Sequence, residues 1–427
     1  MGVPGPEAPS AGVPDVVAPP PRHPRFPLTV GLRGVPAIAI LIGHAWYFNG
    51  GFGGFTESVP NRGMVRMDGL VALFFLLSGF LLYRPMIAHR NHGAGAPRVA
   101  DYARRRFLRL YPAYWVVLIA LAIVPGLYGV FGPDWWKFFT LTDFFDLNNA
   151  HSACPIDLRF RCGLPQSWTL GVDMSFYLAL PFYAAGAALL ARGRAVKSWM
   201  KVELGVLALL AATSLFLQGP PFDMRHDDPW FRFSFLGHFY WFALGMAIAV
   251  ISVAYWKSEL PRPLRFAADN PALCWAVALA IYLVTLFGFY PAPFPVAPFT
   301  PLQYVELNLL QGVGAVFLFL PAVFSNPNRG VPARVLGHPV LMWFGLISYG
   351  ILLWHVTIAV QLGVGSARAG FWVVLLGGLL LTVPLAATSY YLVERPLMKL
   401  KYRSLRQVIR DRARRHREPV AESGGSA

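Results

Sequence analysis

About ten stretches of this chain are long and apolar enough to cross the hydrocarbon core of a bilayer, which takes roughly 20 residues of helix. They are residues 33–55, 67–84, 108–130, 166–190, 201–218, 233–255, 271–290, 303–324, 339–361 and 370–393. Such a pattern leaves little choice of fold. We expect an all-α, polytopic integral membrane protein with about ten transmembrane helices. Composition excludes a soluble globule, since 56% of the 427 residues are hydrophobic and only 14% are charged.

The membrane block spans 28–398. Residues 1–27, rich in Pro, Ala and Gly, are expected to form a disordered cytoplasmic tail. Residues 399–427 form a second tail, beginning KLKYRSLRQVIRDRARRHR, whose cations suit the anionic cytoplasmic leaflet. No short apolar leader with a small-residue cleavage site precedes the body, so no removed signal peptide is expected.

A net charge of +16 invites a nucleic-acid reading, but the basic residues are placed otherwise. They collect in alternate loops and in the tails, which is a topology signal. With both termini cytoplasmic, the inner side holds Arg84, Arg90, Arg104, Arg105, Arg106, Arg109, Arg192, Arg194, Lys197 and Lys201, among others. The outer side keeps few, chiefly Arg62, Arg66, Lys137, Arg159, Arg161, Arg225 and Arg368. The chain is therefore expected in the plasma membrane, with membrane lipid and no nucleic acid as partner.

Cys154 and Cys162 fall in the longest outer loop, 131–165, where an oxidising exterior would let them close a small ring. Two free thiols are the other reading. Cys274 stands alone in an apolar span as a small core residue. No Cys/His spacing suggests a metal site.

Ionisable side chains inside the apolar runs carry the chemistry, because charge at such depth is costly and marks function. Arg33 and His44 lie in LRGVPAIAILIGHAWYF, roughly 16 Å apart along one helix. An imidazole thus sits near mid-bilayer while a cation stays at the edge. The plainer reading of His44 is a neutral histidine bonded between packed helices. In RVADYARRRFLRLYPAYW, Arg106 and Arg109 share a helix face, and their planar forks suit a phosphate ligand. Positive-inside anchoring explains Arg104 and Arg105 well enough. Asp173, early in a span entering from outside, could orient an imidazolium, bind a sugar hydroxyl or pair with an arginine. Ser78 and the Glu394–Arg395 pair read as structural, the latter as an ion pair ending the last helix at Pro396. His355 reads as a helix–helix hydrogen bonder, with a substrate contact as the other reading, His238 as interfacial and His226 as solvated.

Seven segments in order resemble the membrane acyltransferase type 3 family: LRGVPAIAILIGHAW, LFFLLSGFLLYRP, RRRFLRLYPAYW, SWTLGVDMSFYLALPF, FYWFALGMAIA, ISYGILLWHVTI and SYYLVERPL. The resemblance covers roughly 33–400. It implies a bacterial ten-span enzyme whose 28–398 block is the acyltransferase domain. It further implies that His44 is essential for transfer, with Arg33 ten intervening residues away, and that Arg106 and Arg109 serve the acyl-donor site. Two departures stand out. Asp173 replaces a usual Glu, and Ala72 stands where many members have Asp, with Asp68 one helical turn away. The sequence ends soon after the last span, so the esterase-like domain fused to some relatives is not expected.

The expected reaction follows from residues and resemblance together. Arg33, Arg106 and Arg109 hold the phosphates of acyl-CoA, acetyl-CoA among the candidates, which is a donor substrate and not a bound cofactor. His44 serves as general base on an acceptor hydroxyl, or alternatively forms an acyl-imidazole. Asp173 acts from the outer entrance, holding the acceptor. The acceptor is expected to be an envelope glycan or glycolipid, with a macrolide-like metabolite as the alternative. A transporter using His44 as proton relay is the competing class. It is disfavoured because the sequence shows neither internal repeats nor paired broken helices. A membrane scaffold would leave the Arg–His geometry unused.

Overall fold

The computed structural model describes residues 26–51, 59–92, 99–143, 162–219, 234–256, 258–288, 300–364 and 369–400. Residues 1–25 and 401–427 of the two expected tails lie outside the described residues, as do Cys154, Arg159, Arg161, Arg225, His226 and Arg368. The long helices are α1 (Leu28–Phe48), α3 (Val71–His92), α4 (Val99–Ile123), α6 (Trp168–Ala191) and α7 (Val196–Leu217). They continue with α8 (Phe235–Ala254), α10 (Pro271–Phe287), α11 (Pro301–Phe324), α13 (Pro339–Gly363) and α14 (Phe371–Ser389). Short helices α2 (Val59–Arg66), α5 (Trp135–Thr140), α9 (Arg262–Asp269), α12 (Val331–Leu336) and α15 (Arg395–Leu400) complete the order. Among the described residues, nine helical segments are long and apolar enough to span a membrane, or ten if α9 and α10, bent by 94°, count as one.

Helices α1, α3, α8 and α13 form the centre. Their interior side chains, such as Leu32, Phe75, Phe80, Phe242 and Ile347, are buried. Around them α6, α7 and α14 carry exposed Leu178, Phe182, Leu209 and Trp372, the apolar surface a lipid-facing helix should show.

The tightest seam joins α1 and α13. A Cβ at Gly345 would collide with the Val30 carbonyl oxygen, and one at Gly363 with the Phe48 carbonyl oxygen. Glycine at both ends lets the two backbones touch. Because Val30 meets Gly345 and Phe48 meets Gly363, the two helices run parallel.

Several boundaries differ from expectation, and three of the differences bear on the site. Helix α4 starts at Val99, not 108, so its arginines lie inside the helix and not in a loop before it. The span expected over 67–84 starts later, behind α2 and a 3-10 turn, Met67–Leu70. The last helix does not stop at Glu394. It widens into a π-helical turn, Tyr390–Glu394, and continues as α15 through Pro396.

Helix α5 is clamped onto the middle of α4. The Tyr114 hydroxyl donates to the Phe138 carbonyl at 2.6 Å, and Trp115 Nε1–H to that of Phe139 at 2.9 Å. Cys162 is disulfide-bonded, and among the described residues Cys274 is the free thiol.

Candidate active site

Arg33, Arg106, Arg109 and Asp173 come from three helices to one place. Arg106 and Arg109 are three apart on α4 and so share its face. Asp173 interacts electrostatically with all three guanidiniums. The Ser78 hydroxyl donates to Asp173, whose Oδ1 is buried without a partner. Ser78, read from sequence as a packing residue, therefore belongs to this cluster.

Two tyrosines hold Arg106. Its guanidinium carbon lies 5.7 Å from the ring centroid of Tyr102 and 5.7 Å from that of Tyr177, a double cation–π contact. Proline explains why these rings meet. Pro181 has no N–H, so the Tyr177 carbonyl four residues back loses its helical donor. The Tyr102 hydroxyl supplies one instead, at 3.1 Å.

A fifth charged group was not expected here. Glu394 is only 7% exposed, and its charged neighbour is Arg109. The π-helical turn delivers it, an irregularity often found at functional sites. Arg395, the partner expected from sequence, lies instead over the Tyr391 ring, 5.8 Å from its centroid. By formal charge, three guanidiniums and two carboxylates leave one positive charge in excess. Arg33, Arg106, Arg109 and Asp173 all keep intermediate exposure although they lie within spans, as residues lining a cavity do.

Asp173 differs from expectation in place. It joins the arginines and does not form a separate outer entrance.

Roughly 16 Å along α1, His44 meets a second histidine. His355 Nε2 lies 3.1 Å from His44 Nδ1, and the ring centroids are 5.0 Å apart. His355 is 3% exposed, and its Nδ1–H donates to the Ile351 and Leu352 carbonyls at 2.8 and 3.0 Å. The parallel α1–α13 seam makes this pairing. Sequence reasoning gave His355 a helix–helix hydrogen bond or else a substrate contact; it makes the hydrogen bond, and its partner is the essential-site candidate itself. Gln166 also reaches this region, its Nε2–H donating to the Leu353 carbonyl at 2.6 Å. Among the described residues, no group of three or more His, Cys, Asp or Glu could hold a metal ion.

Comparison with known proteins adds a chemical class. A family model described as Acyltransferase domain (Acyl_transf_3) matches residues 31–391. The chain is 23% identical over 401 residues to the putative peptidoglycan O-acetyltransferase YrhL of Bacillus subtilis (strain 168), covering 88% of this chain and 55% of that protein. It is 22% identical over 341 residues to the peptidoglycan O-acetyltransferase OatA of Listeria monocytogenes, covering 76% and 48%. It is 27% identical over 392 residues to Nodulation protein 10 of Rhizobium leguminosarum bv. viciae, covering 87% and 92%. The chain thus spans about half the length of the first two relatives. No solved structure matches it.

Proposed function

The chain belongs to this acyltransferase family, as a multi-pass membrane enzyme transferring groups other than aminoacyl groups, and from that premise we propose a reaction for its site. It moves a short acyl group, acetyl first, from acyl-CoA to a hydroxyl of an envelope glycan or glycolipid. The observation that carries this reading is the two-part site on α1. A cluster with one excess positive charge sits at one end, and an imidazole pair lies roughly 16 Å away.

The arginine end suits the donor. Acyl-CoA carries several phosphate charges, and guanidiniums bind such oxyanions by paired, charge-assisted hydrogen bonds. Excess positive charge in a partly buried cluster is unfavourable until an anion joins it. The end bearing Arg33 faces the cytoplasm in this reading, so donor enters there, and both termini lie inside.

The imidazole end suits the transfer. His44 accepts the proton of the acceptor hydroxyl as that oxygen bonds to the thioester carbonyl carbon. The tetrahedral intermediate then collapses, the C–S bond breaks, and the proton passes from His44 to the departing CoA sulfur. A thioester is already activated, so a positioned base and orientation are the main needs. Asp173, in this reading, holds the three guanidiniums against their mutual repulsion.

The test is transfer of label from radioactive acetyl-CoA by the purified protein in nanodiscs, paired with mass spectrometry of envelope glycans, glycolipids and secreted metabolites from cells with and without the gene. An added acyl mass on a glycan or glycolipid that disappears with the gene is expected. Acylation confined to a small metabolite would move the acceptor assignment, and no consumption of acetyl-CoA or a longer acyl-CoA would overturn the reading.

A further inference from the structure

His355 lies 311 residues from His44 in sequence, yet among the described residues it is the side chain that hydrogen-bonds that imidazole. The direction of this bond can be worked out from the backbone. Its Nδ1 contacts two carbonyl oxygens, Ile351 at 2.8 Å and Leu352 at 3.0 Å. Carbonyls only accept, so Nδ1 of His355 carries the hydrogen. A neutral imidazole has one donor and one acceptor, so Nε2 of His355 is the acceptor. A doubly protonated His355 would bury a charge at 3% exposure with no carboxylate among its described partners, which is costly.

His44 must then donate. The atom 3.1 Å from His355 Nε2 is His44 Nδ1, so that nitrogen carries the hydrogen. A second acceptor agrees. The Ile40 carbonyl, one turn back, also bonds His44. In the other buried span histidines, His238 and His355, it is Nδ1 that meets the carbonyl four residues back.

We propose that His355 is a positioning residue that fixes the tautomer of His44, leaving Nε2 of His44 as the nitrogen with the free lone pair for proton abstraction. This rests on the acyl-transfer reading above for the reaction it serves. When Nε2 takes the acceptor proton, the Nδ1–H of the resulting imidazolium still points into the His355 lone pair. The charge is thereby stabilised without any group having to turn. His355 gains and loses no proton. The proton leaves Nε2 with the departing thiolate.

Nitrogen-15 NMR of imidazole-labelled full-length protein in nanodiscs reads the tautomer directly, with the His44 signals assigned by their loss in His44→Gln. Wild type should show a protonated Nδ1 and a bare Nε2. With acetyl-CoA as donor, His355→Leu should lower kcat on the order of 10²-fold while leaving donor KM within about twofold. His355→Gln, whose amide oxygen can accept from Nδ1–H, should recover much of that loss. A protonated Nε2 with bare Nδ1 in wild type would overturn the proposal, as would unchanged kcat in the Leu variant. So would a Gln variant as poor as Leu, because that marks a purely structural role. Should the Leu variant fail to fold, the wild-type spectrum and the Gln variant decide. The expected spectrum without any acyl transfer would leave the tautomer assignment standing and sink the donor reading instead.

Discussion

The two ends of α1 are built in opposite ways. At Arg33, side chains from α1, α3, α4, α6 and the π-helical turn converge, all but Ser78 ionisable, mostly half-buried, and net positive by formal charge. At His44, one neighbouring helix supplies one polar partner, and that partner is almost fully buried. Holding a polyanion needs many dispersed cations with access to water. Moving one proton needs few groups in fixed geometry. In the proposed reaction, this contrast separates binding from chemistry by depth along a single helix.

Substitutions should split along this division. The largest effect is expected at the imidazole end. His44→Ala should reduce kcat by roughly 10²–10⁴-fold, the usual worth of a general base, with donor affinity and thermal stability near wild type. Steady-state kinetics beside calorimetric donor binding measures both, and a matching loss of donor affinity would erase the distinction between the ends.

Next come the arginines. Arg106→Ala and Arg109→Ala should each weaken acyl-CoA binding by about 1.5–3 kcal/mol, the worth of a charge-assisted hydrogen bond. Saturating donor should restore most of kcat. Wild-type binding should also weaken as salt is raised, and the variants' less steeply. Affinity unchanged in both variants would reduce the pair to topological anchors.

Gly345→Ala should disturb both ends at once, because it wedges apart the helices that carry them. Overpacking of this kind costs about 1–3 kcal/mol, to be read as a lower melting temperature together with lower kcat. A stability loss with wild-type kcat would show that the imidazole pair does not depend on the seam.

The smallest effect sharpens the arginine end. Tyr102→Phe strands the Tyr177 carbonyl that Pro181 leaves without a helical donor, at about 1–3 kcal/mol. In a Pro181→Ala background the helix supplies its own N–H, and the same change should cost clearly less. A double-mutant cycle on unfolding temperature tests this, and equal costs in both backgrounds would refute the proline account.

The arginines and His44 were legible because ionisable residues are conspicuous in apolar runs. The helix class was legible for the same reason. His355 was not, since ISYGILLWHVTI reads like any span with one interior histidine, and nothing local says which helix lies beside it. The glycines at 345 and 363 mark a close approach but not its partner. Glu394 was misread because Pro396 suggested a helix end. A proline in the first turn of α15 needs no N–H there, so the helix continues and the carboxylate turns inward. Helix α4 was begun too late because polar residues such as Arg104 and Arg105 were assigned to a loop when they form the first turns of a helix.

The glycine seam between α1 and α13 has a kinetic consequence. Backbones in contact at both ends cannot slide past one another without prising apart, so these two helices behave as one rigid beam. In the proposed acyl transfer, such a beam offers two fixed docking places on which both substrates are seated together. Initial-rate plots should therefore intersect, as for an ordered or random ternary complex.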